Sequence, residues 1–166
     1  MKKLILVLTL AATCVLLSNL FAQDFTYVGK AKCVICHRTE AQGQQGPIWE
    51  ASQHSKSFAA LSSDAGKALA ADAPDNSECL KCHAPLAEFK EEGVSCEVCH
   101  GPGSDYKSMS TMKDHDAAVG KGLKTYGSPD AIKAWCVTCH ENNPHDKPFD
   151  FDAAWAKIKH TKPAAK

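Results

Sequence analysis

The sequence predicts a mostly helical fold, short helices and loops with little or no sheet, wrapped around bound groups rather than around a large apolar core. Three observations point there. No stretch alternates apolar and polar residues for long enough to make a strand. Helix-capping and turn residues recur at short intervals along the chain. Finally, four Cys-x-x-Cys runs are each followed directly by histidine: Cys33 to His37, Cys79 to His83, Cys96 to His100 and Cys136 to His140.

That third pattern is the one used for covalent haem attachment, because each residue has its own task. The two thiols add to the vinyl groups of the macrocycle and form thioethers, while the adjacent imidazole reaches the iron from one face. Cysteines three apart lie on one side of a helical turn, and the next residue swings under the ring. Paired cysteines also build disulfide frameworks and zinc ribbons, but neither requires a histidine after every pair. With eight histidines in 166 positions, four such hits by chance have a probability of about one in a hundred thousand or less. Four covalently attached haem c groups are therefore expected, on Cys33, Cys36, Cys79, Cys82, Cys96, Cys99, Cys136 and Cys139. The second and third sites are only seventeen residues apart, so two of the haems must be neighbours.

Taken from the amino end, Lys2 and Lys3 precede an apolar run from Leu4 to Leu17 interrupted only by Thr9 and Thr13, and a small residue follows at Ala22. This reads as a secretory signal peptide, residues 1–22, with cleavage after Ala22. The run is shorter than the roughly 20 residues a membrane span requires. Cys14 lacks the small residue directly ahead of it that a lipoprotein signal uses. Residues 23–166 then form one tetrahaem cytochrome c domain, soluble and periplasmic after cleavage. The chain as a whole carries 19 basic and 19 acidic side chains; losing Lys2 and Lys3 leaves 17 against 19. A balance of minus 2 gives no case for nucleic-acid binding.

Lys30 to about Ala41 reads as a short helix that carries the first site and ends at the Gly43-Gln44-Gln45-Gly46 turn. Pro47 suits a first helical turn, so Ile48 to about Leu61 is expected as one helix, with His54, Phe58 and Leu61 on one face. Asp64 to Ala71 is a further helical piece, broken by Pro74 to Asn76 before the second site. Glu88 to Gly93 links the second and third sites, and Gly101-Pro102-Gly103 turns the chain away after His100. Ser104 to about Met112 has helical character; Gly120, Gly122 and Gly127 mark the following stretch as mostly irregular. Ser128-Pro129 is a cap and first-turn pair for a helix running through Trp135 into the fourth site. After the Asn142-Asn143-Pro144 loop, Asp150 caps a last amphipathic helix in which Phe151, Trp155 and Ile158 share a face, ending near His160. The 144 residues left after cleavage give about 36 per haem, too few for an independent core, so the haems themselves must be the core.

His37, His83, His100 and His140 each supply one axial ligand. His54, His115, His145 and His160 remain, four spare imidazoles for four irons. Methionine is a poor rival, since Met109 and Met112 are the two outside the signal segment.

Tyr27-Val28-Gly29 ahead of Cys33, Trp49-x-x-Ser52-x-His54, Gly93-Val94-Ser95-Cys96-Glu97 with Gly101-Pro102-Gly103, and Phe149-Asp150-Phe151 before the last helix together resemble the tetrahaem cytochrome c-554 family. The resemblance implies a mostly helical chain around haems in stacked pairs, an arrangement related to the haem stacks of hydroxylamine oxidoreductase and multihaem nitrite reductases. It further implies that His115 ligates the first haem, His160 the third and His54 the fourth. In the family the second haem lacks a protein ligand on its far face. This chain departs there, because His145 lies in the segment that passes near that face; His145 either closes the second haem or leaves it five-coordinate.

Two functions follow. With every iron held by two histidines, no vacant position exists for a substrate, and the chain passes single electrons between a donor and an acceptor protein through closely packed haems. Two nitrogen ligands also keep potentials below those of a His/Met pair. Alternatively, a five-coordinate second haem binds or reduces a small nitrogen oxide. A structural unit of a haem polymer is a third reading, disfavoured because four spare histidines make the chain self-sufficient; a monomer is expected. Lys81 and Glu97, inside attachment loops, are candidate tuners of haem potential, with ordinary solvated side chains as the plainer alternative.

Overall fold

The computed structural model describes residues 24–141, 143–145 and 147–160. The signal segment expected at residues 1–22 lies outside them. Among the described residues there is no strand, and no helix is long and apolar enough to cross a membrane. The helices are α1 (Ala31–Val34), α2 (Gln45–Ala51), α3 (Ser57–Leu61), α4 (Asp64–Leu69), α5 (Ser77–His83), α6 (Cys96–His100), α7 (Met109–Met112), α8 (His115–Gly120), α9 (Pro129–His140) and α10 (Phe151–Ile158). Short 3-10 turns at Glu40–Gln42, His54–Lys56 and Ala87–Glu92 connect them. The mostly helical expectation holds.

Helix starts follow their side-chain caps. Ser128 accepts from the Ala131 N–H at 3.2 Å with Pro129 in the first turn, and Asp150 accepts from the Ala153 N–H at 3.0 Å, so α9 and α10 begin where expected. Asn76 caps α5 through the Glu78 N–H. Between α7 and α9, where glycines suggest an irregular run, Asp114 caps α8 through the Ala117 N–H at 3.0 Å.

Two expected helices are broken instead. The first stops at Val34, and Cys36 and His37 continue in turns before the 3-10 segment at Glu40–Gln42. The second, expected from Ile48 to Leu61, starts earlier at Gln45 and is cut at Ser52, which is extended with ψ 166°. Serines explain the cut, because their hydroxyls compete for helix carbonyls: Ser52 bonds Trp49 O at 2.7 Å, Ser55 bonds Ser52 O at 2.9 Å, and Ser57 bonds His54 O at 2.8 Å. The break turns His54 onto a separate 3-10 segment.

Packing is local. α3 lies against α4, α5 and the Ala87–Glu92 turn; α10 and α1 both lie against α2; α7 and α8 form a hairpin. The buried apolar residues among those described are small or few: Leu61, Ala73, Ala84, Leu86, Tyr106 and Ala118. So thin an apolar interior contributes little burial energy for a chain of this length.

Candidate haem-binding site

The second attachment site lies on α5. His83 Nδ1 is 2.9 Å from the Ser57 carbonyl oxygen, and the Ser57 hydroxyl is 2.7 Å from the His83 carbonyl. A carbonyl at Nδ1 selects the tautomer that leaves Nε2 free for a metal, the usual device for orienting a ligating imidazole. The same hydroxyl accepts from the Val94 N–H at 3.0 Å, so α3 ties the second site to the residues leading into the third. Gly93 permits this closeness. Its φ is +66°, and a Cβ there would stand 2.5 Å from His54 O and 2.6 Å from Ser57 Oγ.

The third site on α6 is the best buried. Tyr126 donates to Cys99 O at 2.9 Å, Tyr106 donates to Gly101 O at 2.8 Å, and the Lys124 N–H donates to His100 O at 2.8 Å. Burial, then the nearby His160 and His37 rings, push the His100 imidazole down to about 4. Burial also lowers His54, His140 and His160. All four are thus held neutral at ordinary pH, the form that ligates metal.

The fourth site closes the 12-residue α9. His140 stacks on Phe149 at 4.3 Å between centroids, with ring planes 11° apart. The first site occupies α1 and the turn after it. There the His37 Nδ1 is buried and has no hydrogen-bond partner.

Across these sites the histidines meet in pairs. His54 and His140 have ring centroids 6.0 Å apart, His83 and His145 5.7 Å, and His100 and His160 5.8 Å. A metal–imidazole bond of about 2 Å puts a ring centroid about 3 Å from the metal, so imidazoles on opposite sides of one iron stand roughly 6 Å apart. Among the described residues no group of three or more His, Cys, Asp or Glu is arranged to hold a metal ion by itself. Paired imidazoles alone suit a macrocycle that supplies the equatorial nitrogens itself. The residues present therefore fit haem c, with cysteines for the thioethers and imidazole pairs for the axial positions.

The remaining expected pair, His37 with His115, is not brought into ring contact. His115 lies exposed at the start of α8, with Asp116 Oδ1 at 3.3 Å from its Nδ1.

The cysteines also associate between sites. The Cys33 and Cys96 thiols lie close enough to bias each other's protonation, as do those of Cys82 and Cys139, while Cys99 lies beside Trp135 and within electrostatic reach of Cys136. First and third sites adjoin, second and fourth adjoin, and the third touches the fourth.

Residues 32–101 match the family model described as cytochrome c554 and c-prime. Over this span the chain is similar to the cytochrome c554 family. The cytochrome c554 segment runs from α1 through the third attachment motif, and places the chain among c-type cytochromes, proteins of electron transfer that carry covalently bound haem. It stops short of the fourth motif and of His115, His145 and His160. No curated protein and no solved structure matches the chain.

Several supporting residues were invisible in the sequence. The Ser57 carbonyl is a backbone group. Phe149 reads as one more apolar residue beside the last helix, although its place in Phe149-Asp150-Phe151 marked the segment. Glu97 and Lys81 look alike as charged loop residues, yet the structure separates them. Lys81 is exposed and ion-paired with Glu78, whereas Glu97 is 1% exposed.

Proposed function

We propose that this chain is a periplasmic tetrahaem c-type cytochrome that moves single electrons between partner proteins, its haems mostly held by two histidines. The observation that carries the reading is the set of three imidazole pairs at 5.7 to 6.0 Å, each joining the histidine of an attachment motif to a spare histidine far along the chain. Haem c, when bound, supplies the one-electron ferric/ferrous couple. His83, His100 and His140 would each hold an iron through their imidazoles, paired in turn with His145, His160 and His54. His37 holds the first site, with His115 as the ligand that the family pattern implies for its far face.

The cysteine contacts support a continuous order of sites, first to third to fourth to second. Nothing in that order needs a substrate pocket. The His83–His145 approach favours closure of the second site over an open one, and so a carrier over a catalyst. Export by residues 1–22 supplies the oxidising compartment in which c-type attachment is made.

The test is electron paramagnetic resonance of the oxidised holoprotein together with carbon monoxide addition to the reduced form. Low-spin signals throughout and no stoichiometric gas binding are expected. A high-spin ferric signal with rapid binding at one haem would favour the alternative, binding or reduction of a small nitrogen oxide at a five-coordinate second haem.

A further inference from the structure

The residue following the first cysteine of each attachment motif is Val34, Leu80, Glu97 and Val137. Three are apolar, and the charged one is also the most deeply buried ionisable side chain among the described residues. Burying a carboxylate is costly unless donors replace its water. Here they do: Glu97 accepts from the Val28 N–H at 3.0 and 3.1 Å, from the Gly29 N–H at 2.8 Å and from the Gly103 N–H at 2.6 Å. Every contact on its oxygens is a backbone donor, the pattern of an acceptor-only carboxylate.

Those donors come from two places. Val28 and Gly29 lead into the first site, and Gly103 follows the third. Glu92, itself just ahead of the third site, repeats the bond by accepting from the Lys30 N–H at 2.9 and 3.1 Å. Three consecutive N–H groups, Val28 to Lys30, are thus gripped by two carboxylates belonging to the third site.

We propose that Glu97 is a positioning and potential-setting residue, which clamps the lead-in to the first site against the third attachment loop and biases the third haem toward its ferric state. This rests on the electron-carrier reading above. A fixed negative charge stabilises the more positive ferric iron over the ferrous, so the one-electron reduction becomes less favourable. Because water is kept from this carboxylate, its field is screened less than that of the exposed Lys81.

The test is a spectroelectrochemical redox titration of the purified holoprotein, wild type against Glu97→Gln, Glu97→Asp and the exposed control Lys81→Gln. Haem content is counted first by mass. Glu97→Gln should shift one haem toward the ferrous form by roughly tenfold, about 59 mV for one electron; Glu97→Asp, which keeps the charge, should shift it far less, and Lys81→Gln should leave all haems in place. Unmoved potentials in Glu97→Gln, or equal shifts in Gln and Asp variants, overturn the proposal. If Glu97→Gln yields no mature protein, Glu97→Ala, which also removes the charge, decides: a shift toward the ferrous form confined to one haem supports the role, and lost thermal stability with no shift at any haem overturns it. A wild-type protein lacking attached haem at the first and third motifs would instead sink the carrier reading beneath it.

Discussion

The His83 Nδ1 lies 2.9 Å from the Ser57 carbonyl, so the imidazole of the second site is steered by the same short segment that carries His54 toward His140. One serine therefore stands between two sites. Its hydroxyl reaches the carbonyls of both His83 and His54 and accepts from the Val94 N–H.

Replacing Ser57 with Ala removes that hydroxyl and leaves the part-buried Val94 N–H without its side-chain acceptor. The cost should be about 1 to 3 kcal/mol. Thermal unfolding of the holoprotein, followed by its Soret band, should show a lower midpoint; an unchanged midpoint would mean that solvent replaces these bonds freely.

Gly93→Ala should be more damaging than its size suggests. The added Cβ meets His54 O and Ser57 Oγ at 2.5 and 2.6 Å on a residue already at φ +66°. Backbone strain of this kind costs on the order of 1 to 3 kcal/mol before the clash is relieved. The yield of mature haem-bearing protein should fall well below that of a Gly120→Ala control, where a Cβ meets nothing within 4 Å.

His145→Ala should open the second site. The substitution removes the ring that stands 5.7 Å from His83. A high-spin ferric signal and one equivalent of carbon monoxide bound on reduction are the expected gains. A variant as inert as the wild type would show that His145 is not the axial partner.

Acid should loosen the protein with a definite sign. His54, His100, His140 and His160 are all lowered from 6.5 by burial, His100 to about 4. Between those values the unfolded chain binds more protons than the folded one, so stability rises with pH across that window. It is complete above about 6.5 and is lost as pH falls toward 4. Unfolding midpoints measured from pH 8 downward should be level at first and then decline; a curve flat to pH 4 would contradict the burial of these rings.

Phe149→Ala removes the ring stacked on His140 at 4.3 Å. About 1 kcal/mol is expected from the aromatic contact, with further loss from exposed apolar surface. The fourth site's reduced absorption band and the unfolding midpoint should both move, while the bands of the other sites stay.

What could be read from the chain alone was what depends on near neighbours. Attachment chemistry is one case, since two cysteines and a histidine within five residues carry it. Helix starts are another, because Ser128 with Pro129, and Asp150, cap through bonds three residues away. Helix interiors were less legible where serine hydroxyls offered carbonyls a second partner, as at Ser52 to Ser57. Even the list of spare histidines was available, by counting.

The tertiary structure decided which of these meet. Pairing His83 with His145 or His100 with His160 depends on contacts across about sixty residues, which no local pattern encodes. The burial of Glu97 has the same origin. Its three donors sit on Val28, Gly29 and Gly103, and only when the segments carrying them fold together does a loop carboxylate lose its water and gain a role that Lys81, in the sister loop, does not have.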